Sequence, residues 1–306
     1  MKTKNANNST FFGGLLGTPT KEKYAGVAFS LAVVTPVVVT LLFMLVGGAL
    51  GVFTDGYENA EWYKYVAFLL SQIAFALVVV FFFAYSKTPV RAVVGKCKSK
   101  YFFVAVLLQI GLLSLSELNG LFVKWLETFG YVASEINVPS LDGFGFVGAL
   151  LVVALLPAVF EEMIFRGILR VGLSDFSVWA GALLSGALFS VFHMNPAQTV
   201  YQFACGACFA LVAIRAGSVL PTVLSHFLNN AFVLVLMKFE INGLPSLWNI
   251  VFLIVSALCL LGSLAYLIFG DKSGVRSGEK ADKKGFFLCA SVGIFICVIT
   301  WIAGLF

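Results

Sequence analysis

The sequence predicts an all-α fold, a polytopic integral membrane helix bundle of about eight or nine transmembrane helices, and three observations predict it. Of 306 residues, 60% are hydrophobic and 11% charged, with a mean hydropathy of +0.99; a soluble domain carries roughly 25% charged residues. Nine apolar windows come close to the roughly 20 residues needed to cross the hydrocarbon core. Lysines and arginines fall in alternate loops, the pattern that orients membrane helices. No polar stretch between the windows is long enough to hold a soluble core of its own.

In chain order, residues 1–24 read as a polar cytoplasmic tail, Asn-rich at its start, with a short Phe11 to Leu16 patch that suits a membrane surface. It is not a cleavable signal peptide, because the apolar segment that follows is too long and no small-residue cleavage site comes after it. Residues 25–144 hold three N-terminal spans, 25–53, 64–86 and 101–126. Residues 145–240 form the expected central core, with spans 145–171, 177–194, 199–216 and 219–238. The spans 248–270 and 286–305 occupy the C-terminal part, 241–306. Spans 177–194 and 199–216 are short and meet at Met194-Asn195-Pro196, so one of them is a candidate half-buried or re-entrant segment.

With the N-terminus inside, 17 of the 20 basic residues fall in inner loops and only Lys64, Lys124 and Lys238 fall outside. The outer loops are acidic instead, with Asp55, Glu58, Glu61, Glu127, Glu135 and Asp142. This predicts a multi-pass protein of the cell membrane, N-terminus cytoplasmic and C-terminus outside. The formal charge of +5 is therefore topological and suggests proximity to anionic membrane lipid, not a nucleic-acid partner. Six cysteines lie mostly in apolar runs, where a thiol packs as a small hydrophobe. Cys205-Gly-Ala-Cys208 has redox spacing without the βαβ context such a motif needs.

One stretch breaks the apolar pattern. Phe160-Glu161-Glu162-Met163-Ile164-Phe165-Arg166 places three charges at the end of an apolar run. A charge at the centre of a membrane helix costs roughly 2.5–3.5 kcal/mol, so such a cluster marks a site. Glu162 and Arg166 stand one turn apart and can pair. Glu161 points about 100° away and must find its partner on another helix. The chain has only two histidines, His193 and His226, each in or beside an apolar segment, and both follow within seventy residues of the glutamate pair.

Glu161-Glu162-x-x-x-Arg166, Phe189-x-x-x-His193 and His226-x-x-x-Asn230, in that order on successive apolar segments, resemble the three motifs of the CPBP intramembrane proteases. That family includes the type II CAAX prenyl endopeptidases and bacteriocin-processing or immunity-associated proteins. The resemblance covers roughly residues 145–240. It implies an endopeptidase that cleaves a lipidated or membrane-apposed peptide or protein.

Peptide hydrolysis needs an activated water, an oxyanion stabiliser and a proton donor for the leaving amine. A carboxylate in a low-dielectric site can both take and give a proton. Glu161 is accordingly expected as general base, with His193 sharing the water. His226 and Asn230, at i and i+4, can donate to the oxyanion. Glu162 and Arg166 would hold the helix and the local field, and Phe189 would form part of the wall; the resemblance implies the same division of roles. Asn195, Gln198 and Gln202 can either line a water path or bond neighbouring helices.

No cofactor is expected. The alternative is a divalent metal, zinc above all, held by Glu161, His193 and His226 with an open position for water. Helical rise puts Glu161 about 15 Å, His226 about 10 Å and His193 about 25 Å from the inner ends of their spans, so a single site requires His193 to come down. Pro157 is expected to kink its helix. Two other functions compete: a non-catalytic bacteriocin-immunity protein, and a proton- or ion-coupled transporter, although the sequence shows no inverted repeat.

Overall fold

The computed structural model describes residues 18–133, 137–241, 243–274 and 281–306. The Phe11 to Leu16 patch, and Glu135, Arg276 and Lys280 of the charge pattern, lie outside the described residues. Among the described residues there is no strand. The helices are α1 (Lys21–Ala49), α2 (Glu61–Ser86), the short α3 (Val90–Val94), α4 (Lys100–Leu113), α5 (Leu115–Glu127), α6 (Phe144–Gly172), α7 (Val178–Phe192), α8 (Thr199–Ala216), α9 (Leu220–Lys238), α10 (Ser246–Gly270) and α11 (Lys283–Ala303). Helices α4 and α5 form one traverse, interrupted at Ser114, whose hydroxyl donates to the Gly111 carbonyl at 2.7 Å.

Eight of these traverses are long and apolar enough to cross a membrane, and the chain is an integral multi-pass membrane protein. The ninth window, 177–194, contracts to the 15 residues of α7. Ser177 caps the start by accepting from the Ala180 N–H, and Met194, at φ +50°, turns the chain out of the helix directly after His193. The first window also shifts, from 25–53 to Lys21–Ala49. Its start is fixed by Thr20, whose hydroxyl accepts from the Lys23 N–H. Its end is fixed by Gly51, whose φ of +67° lets the Val52 N–H close back on the Gly47 carbonyl.

Two rims organise the bundle. At the basic rim, Lys21 pairs with Asp175 at 2.6 Å, Thr20 donates to Asp282, the Val219 N–H donates to the Val94 carbonyl, and Lys100 pairs with Asp271. At the opposite rim, Tyr65 donates to the Gly145 carbonyl, the Ser140 N–H to Glu61, Tyr131 to Asn195, and the Trp301 indole to Thr199. Successive loops fall on alternate rims, so α7 joins the two despite its length.

The core lies where α6, α7, α8 and α9 meet. Helices α7 and α8 touch backbone to backbone: a Cβ on Gly206 would stand 2.8 Å from Gly186 Cα. Small residues at both positions are what permit this close approach. At the basic rim Gly95 adopts φ +69°, and a Cβ there would strike the Gly217 carbonyl. That contact tucks α3 under the core, where Val93 is buried against Gly167 and Val219.

Candidate active site

The site begins in the irregularity of α6. This helix widens into π-turns over Leu150–Leu155 and Met163–Ile168, on either side of a regular turn, Leu156–Glu162. Wide turns of this kind concentrate at functional sites, because they re-aim side chains without ending the helix. Pro157 lies between them. Having no N–H, it cannot serve the carbonyl four residues earlier, that of Val153. Asn230 Nδ2 donates to this carbonyl from α9, at 3.4 Å.

Glu162 and Arg166 are both fully buried, and Arg166 Nη1 donates to Glu162 Oε1 at 2.8 Å. The pair expected from the sequence therefore forms. Its guanidinium lies over the Phe189 ring at 4.1 Å and near Phe209 and Phe165 at 5.4 and 5.7 Å, so aromatic faces offset part of the desolvation of the cation. The same Glu162 oxygen also accepts from His226 Nδ1 at 3.0 Å. Glu162 thus does more than hold its own helix; it joins α6 to α9.

The second histidine comes down to this level by folding back. His193 is the C-cap of α7, and its Nδ1 donates to the Phe189 carbonyl one turn earlier, at 2.7 Å. The Phe189 ring meets the His193 ring edge to face at 4.6 Å and the His226 ring at 6.1 Å. This fold-back recovers about one turn, roughly 5 Å, of the depth mismatch expected for His193, since side chains lean towards the N-terminus of their helix. Both imidazoles spend Nδ1–H on a fixed acceptor, which leaves Nε2 as the lone-pair nitrogen of each neutral ring.

Glu161 is partly buried, beside the fully buried Glu162. Its Oε2 has no hydrogen-bond partner, and the same is true of Glu162 Oε2 and Arg166 Nε. A cavity of about 20 Å³ lies on the far side of this cluster, lined by Phe189, Gln202, Cys205, Phe209, His226 and the pair Asn229–Asn230. That volume admits about one water. The structure thus brings Glu162, Arg166, Phe189 and His226 into contact, with His193 against Phe189 and Asn230 on the cavity wall. Glu161 and His193 are not on that wall. For the metal alternative, no group of three His, Cys, Asp or Glu side chains among the described residues is gathered as a metal ion would require, so Glu161, His193 and His226 do not form a ready ligand set.

Sequence reasoning missed Asn229, Tyr201 and Gln109. Gln109 Nε2 and Tyr201 Oη both donate to Asn229 Oδ1 at 2.8 Å, and Asn229 Nδ2 donates to Asn230 Oδ1 at 3.2 Å. The available signal was Gln109 itself, a lone amide in the otherwise apolar run that ends at Leu113. Of the polar residues left open, Gln202 lines the cavity, while Asn195 bonds Tyr131 and its own turn. All six cysteines are free.

No curated protein and no solved structure shows significant similarity to the chain. A family model does match, over residues 143–232, a segment that contains every motif residue from Glu161 to Asn230. Its description is type II CAAX prenyl endopeptidase Rce1-like, a peptidase family, and over those residues the chain matches the family that its three motifs resemble.

Proposed function

We propose that this protein is an intramembrane endopeptidase that hydrolyses a peptide bond of a membrane-associated or lipidated substrate, with its site reached from the basic, cytoplasmic rim. One observation carries the reading: the ring of Phe189 touches Arg166, His193 and His226 at once, so all three motifs converge on one buried cluster. The family match supports the same reaction class.

In this reading Glu161, with its partnerless oxygen, takes a proton from water that His193 Nε2 also holds. The resulting hydroxide attacks the scissile carbonyl, and the proton passes from Glu161 to the leaving amine. Asn230 Nδ2 donates to the tetrahedral oxyanion. His226 can join it only as an imidazolium, because Nδ1–H is committed to Glu162 and a neutral ring has no second N–H to give. The Glu162 carboxylate favours that cation, as the buried aspartate does in a Ser-His-Asp triad.

The test is cleavage of a membrane-bound reporter peptide library by purified protein, with Glu161→Ala alongside and with and without chelator. Cleavage by wild type alone that survives chelation is expected. Chelator-sensitive cleavage restored by zinc would replace the glutamate mechanism with a metal one. Full activity in Glu161→Ala would end the reading altogether.

A further inference from the structure

An asparagine serves an oxyanion only when its Nδ2 edge faces the reacting carbonyl. The two ends of the amide have nearly the same shape and opposite hydrogen-bonding character, so the surroundings must choose between them. We infer that Asn229, held by Gln109 and Tyr201, is the positioning residue that locks Asn230 with its Nδ2 edge towards α6 and the reaction site. The inference rests on the reading of Asn230 as an oxyanion donor and assigns the groups that orient it.

The polarity of the chain of amides is set at its backbone end. The Val153 carbonyl is a pure acceptor, left without its helical donor by Pro157, and it takes Asn230 Nδ2 at 3.4 Å. Asn230 Oδ1 must then face Asn229, which meets it with Nδ2 at 3.2 Å. Asn229 Oδ1 in turn accepts from both Gln109 Nε2 and Tyr201 Oη, each at 2.8 Å, which occupies its two lone pairs. Each link pairs a donor with an acceptor: reversing Asn230 would set its oxygen against the Val153 oxygen, and reversing Asn229 alone would set its oxygen against that of Asn230. The bond to Val153 is long and Nδ2 carries two hydrogens, so one N–H is left for a substrate oxygen. Residues from α4, α8 and α9 thus converge on the orientation of one amide.

Asn229→Asp isolates the effect. A carboxylate keeps both acceptor sites for Gln109 and Tyr201 but cannot donate to Asn230 Oδ1, and instead competes with Val153 for Asn230 Nδ2. The experiment follows the Asn230 side-chain amide signals in full-length [15N]asparagine-labelled protein in nanodiscs, assigned by their loss in Asn230→Ala, together with kcat and KM on the reporter peptide. In Asn229→Asp the signals are expected to move, with kcat down about tenfold or more and KM nearly unchanged, a milder form of the loss seen on removing an oxyanion donor. Tyr201→Phe should shift both readouts the same way by less.

Signals unmoved in Asn229→Asp would overturn the inference whatever the rates. Moved signals with normal kcat would overturn it as well, because the orientation would then have no catalytic role. Wild-type protein that cleaves no peptide, with signals that still respond to Asn229→Asp, would support the amide chain while removing the peptidase reading.

Discussion

Two charged clusters in this bundle are built on opposite plans. At the basic rim, Asp271 is buried yet fully engaged: its Oδ2 accepts from Tyr101 at 2.7 Å, Lys100 at 3.1 Å and Tyr266 at 3.4 Å, and its Oδ1 accepts from the Ser273 N–H. Arg215 beside it gives Nε to the Leu267 carbonyl and Nη1 to that of Ser273. In the centre of the bundle, Glu161 Oε2, Glu162 Oε2 and Arg166 Nε have no partner. A partnerless buried polar atom costs about 1–3 kcal/mol, more when charged. A cluster that only fastens helices satisfies its atoms, as the one around Asp271 does. The central cluster keeps them open, which is what a site needs if water or substrate is to complete it.

That contrast can be broken most sharply at Glu161. Glu161→Gln should lower cleavage by about 10²–10⁴-fold, the range of a positioned general base, while the thermal midpoint in detergent barely moves. A large fall in stability there would make Glu161 a fastener like Asp271. Glu162→Ala should do the reverse of Glu161→Gln and leave the Arg166 cation buried without its counter-charge, a loss of about 3–5 kcal/mol visible in thermal melts before any assay. Asn230→Ala should reduce kcat by about 10²–10³-fold with the fold intact; an unchanged kcat would remove it from the site.

The rim should respond in stability alone. Asp271→Asn is expected to cost about 1.5–3 kcal/mol at pH 7, the worth of hydrogen bonds to a charged group, with little effect on rate. Burial pushes the Asp271 carboxyl up, but hydrogen bonds from Ser273, Tyr101 and Lys100 outweigh it and hold the group below the usual carboxylate range. A depressed folded value means that the stabilisation is present above the unfolded value of about 3.9 and is lost as pH falls through the folded one. Wild type and Asp271→Asn should therefore differ at pH 7 and converge in acid; a gap that ignores pH would show that the charge is not what fastens the rim. Lys21→Ala sets the baseline, since a pair with Asp175 that is 39% and 41% exposed is worth about 0–1 kcal/mol.

Much of this was legible in the sequence because hydrophobic length and charge are one-dimensional signals. The spans, the weakness of 177–194 and the Glu162–Arg166 pair all follow from spacing along one helix. The orientation of Asn230 does not, because it is decided by Val153, Asn229, Gln109 and Tyr201, on four different traverses. Nor does the part played by Glu162, since its bond to His226 joins residues 64 positions apart. Pro157 was readable as a break in the helical hydrogen bonds. Its more specific effect, a carbonyl released for another helix, needed the packing of α9 against α6.

The brevity of α7 has a consequence for the lipid around it. Fifteen residues rise only about 22 Å, against a hydrocarbon slab about 30 Å thick. Trp179 and Leu183 stand exposed on its outer side, 48% and 50% accessible, so acyl chains meet this short column directly. Hydrophobic mismatch of that sign is relieved by local thinning of the bilayer. Such thinning would bring the turn that carries His193, at the rim opposite the basic one, closer to water. Acyl-chain length in the host membrane is therefore expected to alter the hydration of that turn.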